Sequence, residues 1–190
     1  VAGDADRAES AARAYAAAGA TALVSFGTAA GLDPTMKPGD AFVASEVWTG
    51  AGVIACAPFP GASGRIAGVR EPVATAEAKA ALAAASGAQT VDMETAGVAA
   101  AAQATGLPLY VFRAISDGPN DSVPACALAG MRPDGTTATW PVIAGLLRSP
   151  QDLPALIRLG RGYAAALQTL SGLGRRLLDL RGRFGGAAGG

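Results

Sequence analysis

Three short stretches hold residue types from which chemistry could be built: GTAAG at 27–31, VDMETAG at 91–97 and RAISDG at 113–118. The first offers backbone N–H groups at a tight turn, suited to an anion or a sugar hydroxyl, although such turns also serve structure alone. The second sets Asp92 and Glu94 around Met93 where a strand gives way to a helix. On spacing alone the favoured reading is helix capping by Asp92 and dipole matching by Glu94. The third ends an apolar run on Asp117, either an acid at a site or an Asx-turn with Gly118.

The chain has no histidine, which removes Ser-His-Asp and Cys-His catalysis, His-ligated zinc and imidazole acid–base work. Catalysis must rest on carboxylates, Arg, Lys, hydroxyls or backbone groups. No cofactor and no metal is expected.

These segments need elements to hold them. Residues 4–19 read as an Ala-rich helix stopped by Gly19, 21–26 as a doubly buried strand, and 27–40 as a Gly- and Pro-rich loop. A second strand is expected at 41–47, broken β pieces at 50–72, a helix at 75–86 and a short strand at 89–91. A helix at 93–105 ends at Gly106, and LYVFRA at 109–114 forms a third buried strand. A loop with Pro119, Pro124 and Pro133 follows, then helices at about 140–147 and 152–184. Strands alternating with helices predict an α/β fold: a mixed, mostly parallel central sheet flanked by helices, with a helical C-terminal extension. In an open sheet of that kind, ligands bind beyond the carboxyl ends of the strands, where the three stretches fall.

The 190 residues are 51% hydrophobic and 16% charged with zero formal net charge, which argues against disorder and against a nucleic-acid partner. The charge is uneven: from Arg148 onward there are seven Arg and two Asp, a net of +5. One domain is expected over 1–184, with 148–184 as a basic helical extension and 185–190 as a disordered tail. Cys56 and Cys126 lie far apart, as free thiols in a reducing cytoplasm would.

Taken together, LVSFGTAAGLDPTMKPGDAFVAS at 23–45, VDMETAGVAA at 91–100 and LPLYVFRAISDGPND at 107–121 resemble the nucleoside phosphorylase and nucleosidase superfamily. The stretches VATAEAKAAL at 73–82, MRPDGT at 131–136 and LLRSPQDLPALIRLGR at 146–161 further resemble its hopanoid-associated nucleosidases. The resemblance implies cleavage of an adenine nucleoside, adenosylhopane, to adenine and ribosylhopane. It makes Asp117 the acid that protonates the leaving base. It makes Glu94 the acceptor of ribose hydroxyls and Met93 the packing on the sugar face. Gly27, Thr28 and Ala29 would line the sugar pocket, with Asp92 beside it, and Ser116 and Arg113 would support Asp117.

The resemblance also places an N-terminal strand ahead of this sequence, and it implies a homodimer. Phosphorylases of the superfamily carry an Arg where this chain has Ser25, so water is favoured over phosphate as nucleophile. A phosphorylase and a non-catalytic nucleoside-binding relative stand as alternatives. Over 153–184, Leu156, Leu159, Tyr163, Leu167, Leu170 and Leu177 form one stripe, with Arg158, Arg161, Arg175, Arg176 and Arg183 mainly opposite. Such a helix either packs on the sheet with a solvated basic face or rests on anionic lipid, which would place a cytoplasmic protein at the inner membrane. Gly160, Gly162, Gly172 and Gly174 predict a break in it.

Overall fold

The computed structural model describes residues 4–130 and 139–184. The MRPDGT stretch and the 185–190 tail lie outside them, as do the side chains of Arg176 and Arg183. The first helix, α1 (Ala5–Ala17), starts where Asp4 accepts hydrogen bonds from the N–H groups of Asp6 and Arg7, two of the donors a helix start leaves unpaired. Its Ala5, Ala8 and Ala12 face is buried. It meets α3 (Thr95–Thr105) at Gly97, where a Cβ would stand 1.9 Å from the carbonyl oxygen of Ala5. Helix α2 (Ala76–Ser86) is capped by Thr75 and stopped by Gly87 in the left-handed region, where glycine carries no Cβ penalty.

Seven strands form one mixed sheet: β1 (Leu23–Gly31), β2 (Ala41–Val43), β3 (Glu46–Trp48), β4 (Val53–Ala55), β5 (Arg65–Gly68), β6 (Thr90–Asp92) and β7 (Leu109–Asp117). Their order is β2-β7-β1-β6-β5-β3-β4. The longest ladder is the parallel pair β1–β7; β5 pairs in parallel with β3 and β6, and the remaining pairings are antiparallel.

Three expectations change here. The GTAAG stretch is not a turn: residues 27–31 continue β1, because β7 offers hydrogen-bond partners along its whole length. The single strand at 41–47 is two strands separated by Ala44 and Ser45. Ala44 N–H still bonds to Val111 of β7, while Ser45 N–H already bonds to Gly64. Since β2 and β3 lie far apart in the order yet are joined by two residues, a span of about 10 Å, the sheet curls toward a barrel instead of lying open. The main core fills that curl, with Phe42, Val47, Ile66, Val111 and Ile115. Between Leu23 and Ala29, β1 ladders only with β7; β6 reaches it at Ala30 and Gly31 alone.

After β7 come α4 (Ala125–Gly130), inside the stretch read as a loop, and then α5 (Thr139–Arg148). The last helix, α6 (Leu153–Phe184), is unbroken over 32 residues despite its glycines. Tertiary packing overrides their low propensity. Its buried seam is Gly162, Ala166 and Leu170, one step round from the expected stripe, and Tyr163 and Leu167 stay half-exposed. Gly162 is essential to that seat, since a Cβ there would fall 2.2 Å from the Ser116 carbonyl oxygen. Among the described residues no helix is long and apolar enough to cross a membrane.

Candidate active site

Strand β7 is buried along nearly its whole length and delivers two charged residues to the interior, Arg113 and Asp117. At about 3.3 Å per residue, four positions separate them by roughly 13 Å, so they serve different places. Between them the register with β1 slips: Ala29 faces Ile115, but Ala30 faces Asp117. Ser116 is the extra residue of this bulge, a device that re-aims the side chain after it.

Arg113 does not support Asp117. Its Nε donates to Asp92 Oδ2 at 2.7 Å, and Nη2 bonds the same oxygen. Nη2 also lies 2.5 Å from Ser25 Oγ and 2.6 Å from Thr95 Oγ1, and Nη1 donates to the Phe112 carbonyl at 2.8 Å. Asp92 further accepts from Thr95 N–H at 3.1 Å and Thr95 Oγ1 at 2.5 Å. Both charges are buried and hydrogen-bonded, tying β6, β7, β1 and the start of α3 together. Asp92 therefore performs the capping role its spacing allowed, and its carboxylate is committed within the protein.

Asp117 is buried, and its partners come from elsewhere. Ser116 Oγ donates to Asp117 Oδ1 at 2.6 Å, the support the resemblance implied. Lys79 of α2, completely buried, donates from Nζ to Asp117 Oδ2 at 2.5 Å, to the Gly118 carbonyl at 2.7 Å and to the Asp121 carbonyl at 2.8 Å. An ammonium group has three protons, and all three are used. The turn beyond is closed by Asp121 Oδ2, which accepts from Gly118 N–H at 2.8 Å three residues back, a contact opposite in sense to the Asx-turn considered for Asp117. Sequence reasoning missed Lys79. One signal was available: Thr75, Lys79, Leu82 and Ser86 share one helical face, which sets a lysine on the inward side of an Ala-rich helix.

The expected site residues do not share one cavity. Asp117 and Ser116 border an enclosed space of about 20 Å³ with Pro38, Asp121, Arg158 and Leu159, room for about one water. Gly27, Thr28, Glu94 and Arg113 line a separate cleft of about 590 Å³ along the free stretch of β1. Its other walls are mainly apolar, with Val24 and Phe26 of β1, Tyr15 of α1, and Tyr163 and Leu167 of α6. Glu94 stands at the N-terminal end of α3, half-buried, without a side-chain cap bond. Met93 beside it is half-buried, and Ala29 is in the core.

Residues 55–129 match the model of the phosphorylase superfamily, a stretch that contains Lys79, Glu94, Arg113 and Asp117. No curated protein matches the chain. Among solved structures, the chain is similar to a 5′-methylthioadenosine/S-adenosylhomocysteine nucleosidase from Helicobacter pylori at 17% identity. That match has a TM-score of 0.60 and covers 91% of this chain and 76% of that one. It is similar to the futalosine hydrolase of the same organism at 20% identity and TM-score 0.57, over 88% of this chain and 75% of that one. Another match, Helicobacter pylori MTAN, has 24% identity and a TM-score of 0.52 over 57% of this chain. This chain spans 64% of that protein's length. The fold is that of the nucleoside phosphorylases and nucleosidases, with its mixed sheet, flanking helices and C-terminal helix.

Proposed function

We propose that the protein is a purine nucleosidase that hydrolyses the N-glycosidic bond of an adenine nucleoside. The observation that carries this reading is Asp117, a buried carboxyl held in fixed orientation at the bulged end of β7. In the reaction the C1′–N9 bond breaks and its electron pair goes to the purine. Asp117 takes up a proton from solvent, gives it to N7 and returns to the carboxylate paired with Lys79, while water forms the new bond to C1′ and releases a proton to solvent. Glu94 accepts hydrogen bonds from the ribose hydroxyls, apt for an acceptor-only group, and Met93 packs on the sugar. Asp117 borders a small space against the first turns of α6, at Ala155, Arg158 and Leu159, and in this reading those turns shift outward to admit the purine.

Water is favoured over phosphate by the state of Arg113. Among the described residues lining the large cleft it is the only cation, and Asp92, Ser25 and Thr95 occupy its guanidinium. A phosphate entering there would meet the Glu94 carboxylate and a guanidinium whose charge is already balanced by Asp92.

The finer substrate in this reading is adenosylhopane, split to adenine and ribosylhopane. Its support is the apolar lining of the cleft beside Glu94 and Thr28, suited to a large apolar 5′ substituent. Arg158, Arg161 and Arg175 are exposed on α6, as peripheral contact of a cytoplasmic homodimer with anionic lipid would use.

Incubation of the protein with adenine nucleosides in phosphate-free buffer should yield free adenine and free sugar. A sugar 1-phosphate, with a rate that follows phosphate concentration, would make it a phosphorylase. Nucleoside binding without products would make it a non-catalytic relative.

A further inference from the structure

We propose that Lys79 is a positioning residue for the Asp117 acid: its ammonium fixes the carboxylate and the 118–121 turn in reacting geometry and balances the charge left after proton transfer. This inference rests on the nucleosidase reading above.

The argument starts from cost. A lysine side chain loses rotamer freedom and hydration on burial, and an isolated buried ammonium is strongly disfavoured. One of the chain's two lysines is nevertheless placed where its side chain is 0% exposed, facing an aspartate that is 8% exposed. A methionine at position 79 would fill similar volume without that cost, and buried ion pairs are often no better for stability than well-packed apolar residues. The placement is explained by what the cation does for Asp117.

Two features favour that role over a purely structural one. First, the three Lys79 bonds converge on one loop, reaching Asp117, Gly118 and Asp121 rather than its own helix. A second tie joins the same segments, from Val123 N–H to the Ala74 carbonyl at 2.8 Å, so α2 is the platform for the loop. Second, the contacts divide the carboxyl: Oδ2 belongs to Lys79 and Oδ1 to Ser116. The carboxyl plane is thereby fixed, and only the remaining lone-pair directions can meet a base. When Asp117 gives up its proton, its O–H bond breaks and the new carboxylate stands against a cation already in place, a preorganised charge partner.

A double-mutant cycle on the whole chain tests this. Lys79→Met should lower kcat by about 10²-fold, the order expected for loss of precise orientation, with KM within a few-fold of wild type. Lys79→Arg should recover part of that loss. In the Asp117→Asn background, Lys79→Met should cost little further, because a positioning residue has nothing left to position. A structural role would instead multiply the two losses. Thermal midpoints give a reading that does not need turnover. Lys79→Met leaves a buried unpaired carboxyl, so its midpoint should drop, and the double variant should regain part of the drop. Active wild type with Lys79→Met within twofold of it, or additive effects in the cycle, overturns the role of Lys79 alone. A wild-type protein that releases no adenine removes the nucleosidase reading and this role with it.

Discussion

The two buried ion pairs on β7, Arg113–Asp92 and Lys79–Asp117, are alike in burial and different in surroundings. In the first, each oxygen of Asp92 accepts from Arg113 or Thr95, and Arg113 Nη2 also meets Ser25, so the carboxylate is used up within the protein. It adds side-chain ties between β1, β6, β7 and the start of α3 to the backbone ladders that already join the strands. The second is open on one side, where Asp117 borders a small cavity under α6. The difference comes from the bulge at Ser116, past which Asp117 pairs with Ala30 at the end of the β1–β7 ladder, while Arg113 pairs with Gly27 in its middle.

That contrast yields separable expectations. The largest effect should come from Arg113→Met, which strands the Asp92 carboxylate and should cost about 3–5 kcal/mol of stability by denaturant unfolding. Unchanged stability would show that the cluster does not hold the fold. Asp117→Asn keeps an acceptor for Lys79 and should leave the fold intact, while turnover falls by at least about 10²-fold. Near-normal adenine release from that variant would take Asp117 out of the chemistry. Gly162→Ala forces a Cβ against the Ser116 carbonyl and should destabilise by about 1–3 kcal/mol. Because α6 also covers the Asp117 cavity, its effect on activity should exceed its effect on stability; the reverse would mean that α6 is only a brace. Smallest is Thr75→Ala, which removes the cap of the helix carrying Lys79. It should cost about 1 kcal/mol, with local hydrogen exchange raised at Ala78.

Local sequence determined the elements whose causes are local. Asp4 and Thr75 as helix caps, Gly87 and Gly106 as helix stops, and the apolar run into RAISD each act within a few residues, and the structure places those boundaries nearly where the sequence does. Asp117 and Glu94 are visible as carboxylates near strand ends, but on the residues alone capping or an Asx-turn fits them as well, and their site roles, with that of Ser116, come from the family resemblance. Ladder partners and charge partners were not local, and there the tertiary structure decided. GTAAG is strand because β7 lies beside it. Residues 41–48 split because one end bonds to β7 and the other to β5 and β4. Helix α6 runs through four glycines because its seam packs on the sheet. Asp117 meets Lys79 across 38 positions, and Arg113 meets Asp92 across 21. A buried charge must be matched by whatever the fold carries to it, and no local preference of the chain encodes which residue arrives.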